Sequence, residues 1–168
     1  MKILVVVWNF YPNTAYTNHT KSTVRGFREL GAECDVYTIK PLTVADDMAL
    51  NHKLTGVNSF LKTAFAMVYN FINLTRVAKL YDVIYCAQSD LRVIKRLLSF
   101  AHKNDKVIVH ERTEYPDVFM PTNCAKMKEY CRLVAQFDKV FTISTFIKKF
   151  LVERGVDKNK LQVYPMIV

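Results

Sequence analysis

The stretch Ile3-Leu-Val-Val-Val-Trp8 is a continuous apolar run with no polar residue to alternate against. A strand that faces water on one side alternates. One covered on both faces does not, and such strands belong to parallel sheets flanked by helices. Working outward, Asn9 to Tyr16 reads as a polar loop. A helix is predicted from about Thr20, with Val24, Phe27 and Leu30 on one face and Gly31 as its stop. Cys34-Asp-Val-Tyr-Thr-Ile39 is a second strand, ended by Pro41, and residues 42–56 read as an irregular connection.

The alternation continues. Val57 to about Lys79 is predicted as a long helix carrying Phe60, Leu61, Ala64, Phe65, Val68, Phe71 and Ile72. Its 13 uncharged residues between Lys62 and Arg76 fall well short of the ~20 that cross a bilayer, so it reads as buried or interfacial. Asp82 to Cys86, Lys106 to His110 and Asp138 to Ile143 are further strands. Each leads to a helix: one bearing Leu91, Ile94, Leu97, Leu98 and Ala101, one around Lys126 to Gln136, and one starting at Ser144. In the last, Ile147, Phe150 and Leu151 face inward and Gly155 follows its end. Leu161 to Tyr164 is a final short strand. The expected fold class is α/β, a Rossmann-like parallel sheet with helices on both faces, joined by right-handed crossovers.

The bulk properties agree with one such domain. The chain has 168 residues, 51% of them apolar and 23% charged, enough to bury a core. No repeat or low-complexity tract interrupts it. None of Cys34, Cys86, Cys124 and Cys131 forms a C-x-x-C pair or lies at zinc-ligand spacing from a histidine. A reduced, cytoplasmic protein without a metal or cofactor is expected, and the sequons at Asn18 and Asn73 then carry no meaning. The five-residue run Ile3 to Val7 is too short for a secretory signal. The formal net charge of +9 suits anionic partners, although the cations are spread along the whole chain.

In an open parallel sheet, ligands bind beyond the carboxyl ends of the strands. The residues to read are therefore Asn9 to Tyr16, Gln88-Ser89-Asp90, His110-Glu111-Arg112-Thr113-Glu114 and Ser144-Thr145. Several functions fail at these places. There is no G-x-G-x-x-G, no P-loop, no pair of acids after the first strand and no G-x-S-x-G elbow. His110 is read as the end of its strand, pointing into the cleft, with a structural and a catalytic role both open. Arg112 suits a phosphate or carboxylate, while Glu111 or Glu114 could bind ligand or simply pair with it. Ser144 can cap its helix and can equally mark an amide-lined phosphate site.

Taken in order, these segments resemble the N-terminal domain of family 4 (group 1) GT-B glycosyltransferases. The resemblance is carried by Met1-Lys-Ile-Leu-Val5, Tyr11-Pro12, Leu30-Gly-Ala-Glu-Cys-Asp-Val36, Tyr81-Asp-Val-Ile-Tyr85, Val109-His-Glu111 and Phe137-Asp-Lys-Val-Phe-Thr-Ile-Ser144. Ile147 to Leu151 and Gly155-Val156 extend it, and Leu161 to Val168 is similar to the stretch before an interdomain linker. The resemblance implies metal-independent transfer of a sugar from a nucleotide-sugar donor to a glycan or lipid-linked acceptor, with retention of configuration. The N-terminal domain would mainly hold the acceptor, with His110, the catalytic candidate, against the transferred sugar. Asn9, Tyr11, Asn13, Thr14, Tyr16, Gln88, Ser89, Glu111, Arg112, Glu114 and Ser144 are the candidate substrate-binding residues.

Two departures stand out. The family's first loop usually carries a glycine pair, where this chain has Asn13-Thr14-Ala15-Tyr16. The donor-binding second domain is expected to lie outside these residues, so the chain alone should be inactive. Basic helix faces (Arg92, Lys95, Arg96, Lys103; Lys148, Lys149) would suit peripheral contact with the inner face of a membrane carrying the acceptor. The alternative is a free-standing sugar- or phospholigand-binding module without catalysis. A nucleic-acid binder, suggested by charge and tyrosines, lacks any recognisable motif, and no nucleic-acid partner is expected.

Overall fold

The computed structural model describes residues 1–11, 14–42, 48–50, 60–87, 90–112 and 125–164, Arg112 by its backbone alone. Six strands, β1 (Lys2–Val7), β2 (Glu33–Thr38), β3 (Val83–Cys86), β4 (Val107–Arg112), β5 (Lys139–Thr142) and β6 (Leu161–Val163), follow the sheet order β2-β1-β3-β4-β5-β6. The described helices are α1 (Ala15–Glu29), α2 (Phe60–Ala78), α3 (Leu91–Lys103), α4 (Ala125–Val134) and α5 (Thr145–Val152), with a 3-10 turn at Lys158–Lys160. The α/β, Rossmann-like fold class expected from the sequence is the fold observed. By compactness the chain divides into two units, Met1–Ala87 and Gln88–Val168.

In the first unit β1 pairs in parallel with both β2 and β3. Ile3 to Val7 are all buried, although neighbouring strand residues point to opposite faces, so β1 is covered on both sides. In the second unit β5 pairs in parallel with β4 and β6. Ile108, Val109, His110 and Glu111 are likewise all buried.

An aromatic-Asp pair precedes one strand in each unit and does the same work in both. The backbone N–H of Asp82 donates to the Lys2 carbonyl at 2.9 Å, and its carboxylate accepts from the Lys2 amide at 2.8 Å. Asp138 closes the same two-bond ring on Ile108, at 3.0 and 2.8 Å. Each clamp lies one residue before the first ladder pair, Ile3 with Val83 and Val109 with Lys139, so it sets strand register. The aromatic partners Tyr81 and Phe137 are buried.

Four boundaries or faces differ from the sequence reading. Helix α1 starts at Ala15 rather than about Thr20, because Thr14 is its N-cap and its hydroxyl accepts from the Thr17 amide. Leu30, expected on the inner face, is exposed at the C-cap, while Gly31 adopts the left-handed φ of 83° that ends the helix. Helix α2 buries Ala66, Asn70, Leu74 and Ala78 and leaves most of its bulky residues outside. Strand β4 runs on to Arg112, because its parallel ladder with β5 continues through Glu111–Phe141 and Arg112–Thr142.

Candidate functional site

The strand order turns at β1. The chain winds outward from β1 to β2, then returns to place β3 on the other side of β1. The crevice beyond the carboxyl ends of β1 and β3 is thus the topological switch point, where open α/β sheets bind ligands. Both strands belong to the first unit.

Beyond β1, Asn9 and Tyr11 are half-buried and Phe10 is buried, with the Lys21 ammonium 5.5 Å from its ring centroid. Thr14 donates its hydroxyl to the Tyr11 carbonyl at 3.3 Å and caps α1. Two further threonines, Thr17 and Thr20, are buried behind it, and Thr20 donates to the Tyr16 carbonyl at 3.0 Å. The first turn of α1 carries no acid, so its amides keep their partial positive charge. Tyr16, read from sequence as the end of a loop, lies on α1, and its phenol donates to the Ala87 carbonyl at the end of β3. That bond ties the two sides of the switch point together. Asn13, Gln88 and Ser89 lie outside the described residues.

In the second unit Asp90 caps α3, accepting from the amides of Arg92 and Val93 at 2.9 and 3.4 Å and pairing with the Arg92 guanidinium at 2.8 Å. Burial works to raise the Asp90 pKa, but Arg92 and these amides outweigh it and hold the carboxyl below its usual range. A carboxylate therefore already occupies this helix terminus. At α5 the cap is Ser144, whose Oγ accepts from the Ile147 amide at 3.3 Å, as the sequence predicted. No acid stands in the first turn of α5, and buried Thr142 donates to the Ser144 carbonyl at 3.3 Å.

His110 is placed differently from its sequence reading. Since β4 continues to Arg112, His110 lies within the strand body opposite Val140 and has 0% of its surface exposed. Its Nε2 is 2.7 Å from the Tyr130 hydroxyl on α4, and its ring lies 4.9 Å from that of Phe137. Glu111 is also buried. Arg112 is known by backbone only, and Glu114 lies outside the described residues. Sequence reasoning missed Tyr130, twenty positions from His110, and Thr17 and Thr142, whose buried hydroxyls carry no spacing signal. Among the described residues no group of three or more His, Cys, Asp or Glu could hold a metal ion.

No protein-family model matches the sequence, and no curated protein matches it. Solved structures do match. The lipopolysaccharide outer core galactosyltransferase WaaB is similar over 100% of this chain and 46% of its own, with a TM-score of 0.63 at 15% identity. The chain has the fold of a GT-B N-terminal domain. HepE of Anabaena, in complex with UDP-glucose, matches 98% of this chain and 43% of its own, with a TM-score of 0.66 at 15% identity. The UDP-GlcNAc 2-epimerase of Methanocaldococcus jannaschii matches 97% and 45%, with a TM-score of 0.64 at 12% identity. The chain spans less than half the length of these relatives, and at such identities the likeness is one of fold.

Proposed function

We propose that this chain is the acceptor-side half of a retaining glycosyltransferase. A second domain would supply the nucleotide-sugar site, and the sugar would pass to a glycan or lipid-linked acceptor in cell-surface polysaccharide or glycolipid synthesis. The bond from the anomeric carbon to the diphosphate breaks, an acceptor hydroxyl oxygen takes its place, and the nucleoside diphosphate leaves with the hydroxyl's proton. The observation that carries the reading is the match over nearly all of this chain to under half of enzymes such as WaaB and HepE. The acid-free amino ends of α1 and α5 suit the anionic parts of such substrates.

In this reading Asn9, Tyr11, Asn13, Thr14, Tyr16, Gln88 and Ser89 contact ligand beyond β1 and β3, while Glu111, Arg112, Glu114 and Ser144 do so beyond β4 and β5. His110, assigned to the transferred sugar by resemblance, would serve through the end of β4, which its contacts with Tyr130 and Phe137 hold. A lipid-linked acceptor would bring the protein to the inner face of a membrane as a peripheral partner.

The test is to isolate the native protein from its source, map its peptides and incubate it with UDP-sugars and candidate acceptors. Release of UDP that depends on acceptor, with the donor's anomeric configuration kept in the product by NMR, supports the proposal. The likeness to the 2-epimerase favours a second reading, which predicts inversion at the sugar's second carbon with no acceptor present. Sugar binding without turnover by a native product of this length would replace both with a binding module.

A further inference from the structure

Helices α3 and α4 turn a strongly basic side outward. Along them the sequence places seven cations against a single acid, Glu129. On α3 the cations are Arg92, Lys95, Arg96 and Lys103. At about 100° per residue they share the arc opposite buried Val93, Leu97, Leu98 and Ala101. On α4 they are Lys126, Lys128 and Arg132, all exposed. The Lys95 ammonium meets the Glu129 carboxylate at 2.5 Å, which joins the two arcs into one surface within the second unit. A surface so dominated by one sign of charge attracts the other.

What the surface lacks narrows its partner. None of the large apolar residues of α3 or α4 is exposed, so this surface offers acyl chains nothing to hold. The aromatic residues of the two helices, Phe100 and Tyr130, are buried, and each helix is packed along its apolar side. That removes base stacking and a helix free to enter a groove, the usual means of holding nucleic acid. A second copy of the chain would set like charges together on a protein of net charge +9. Carboxylates, by contrast, are already seated here: Glu129 on Lys95, and Asp90 on the Arg92 guanidinium at 2.8 Å. An extended segment of about five or six residues spans the ~17 Å of helix between Arg92 and Lys103. We propose that the α3–α4 surface is a docking site for an acidic, carboxylate-rich segment of a partner protein. The docking goes beyond the sugar-transfer reading and requires neither donor nor acceptor.

The test is fluorescence anisotropy of a labelled polyglutamate peptide of about twelve residues, titrated with the 168-residue chain. The peptide is expected to bind, and its affinity to fall with added salt. The triple variant Lys103→Glu, Lys126→Glu, Lys128→Glu should lose about tenfold or more of that affinity. A control of equal net charge, Lys62→Glu, Arg76→Glu, Lys79→Glu on and beside α2, should lose no more than about twofold. All six positions are exposed, so thermal unfolding of both variants should stay close to the parent's, which separates lost docking from lost folding. Absence of binding at low salt overturns the proposal. Equal losses in the two variants also overturn it, since net charge alone would then draw the peptide. So does duplex DNA of matched charge, or a phosphatidylglycerol vesicle, that binds the same surface more tightly than the peptide. None of these probes carries a sugar donor or a glycan acceptor. Failure here therefore leaves the transferase reading standing, and a failed UDP-sugar assay leaves docking standing.

Discussion

The two aspartate clamps allow a matched perturbation. Asp138→Ala removes the carboxylate that accepts the Ile108 amide at 2.8 Å, a part-buried bond to a residue of which no surface is exposed. Asp82→Ala removes the corresponding bond to the Lys2 amide, also 2.8 Å, where the contact is exposed. Length is therefore matched and solvent access is not. A hydrogen bond to a charged group contributes about 1.5–3 kcal/mol when water cannot replace the partner, and nearer ~0.5–1 kcal/mol when it can. For a domain of this size each kcal/mol moves the unfolding midpoint by roughly 2–4 °C. Asp138→Ala should thus lower Tm by about 3–12 °C and Asp82→Ala by about 1–4 °C. Asp138→Asn keeps a carbonyl acceptor without the charge and should fall between Asp138→Ala and the parent. Urea unfolding and scanning calorimetry on the purified chain measure all three. Equal losses for the two alanine variants, or an asparagine variant as damaged as the alanine one, would refute the argument that buried register clamping holds β4 to β5.

Three smaller expectations follow from the same structure. Ser144→Ala should cost about 1 kcal/mol by removing the α5 cap, with Ser144→Thr recovering most of it in thermal melts; an unchanged alanine variant would remove the cap from the account. Tyr130→Phe deletes the 2.7 Å contact with His110 inside a fully covered pair and should cost about 1 kcal/mol in urea unfolding; no loss would mean that contact carries nothing. Burial raises the Cys34 thiol from 9.0 to about 11, against a lowering pull from Arg28 and with a small push from Asp35. Since the folded pKa lies above the unfolded one, the thiol's contribution to stability is complete below about pH 9 and is lost as pH rises towards 11. At pH 8, Cys34, Cys86 and Cys131, all buried, should resist iodoacetamide until the chain is unfolded, and peptide mass mapping would show early labelling if they are not.

Much of this fold is legible in the sequence because strands covered on both faces are written as unbroken apolar runs. Ile3 to Val7 shows it most plainly. The end of α1 is also legible, since Gly31 supplies the left-handed turn. The start of α1 is not: Ala15 to His19 has no apolar period, and the capping role of Thr14 depends on its geometry rather than its identity. The packed face of α2 is hidden for the opposite reason. Hydropathy points to Phe and Ile, while the sheet side takes Ala66, Asn70 and Ala78, with Asn70 donating to the Ile39 carbonyl at 3.1 Å and accepting at its own carbonyl from the Tyr37 phenol at 2.9 Å. At the candidate site Thr14, Tyr16 and the Ser144 cap were readable, but the buried Thr17 hydroxyl and the extent of β4 were not. Glu111 and Arg112 look like loop residues, yet backbone pairing with Phe141 and Thr142 extends the strand past His110.

The paired clamps bear on how the chain could be taken apart. Lys2 and Asp82 both precede Ala87, and Ile108 and Asp138 both follow it. A cut after Ala87 would sever neither ring, so each fragment would keep its own alignment key, encoded within its own residues. Each piece could therefore be expressed by itself with the register of its own strands still specified from within.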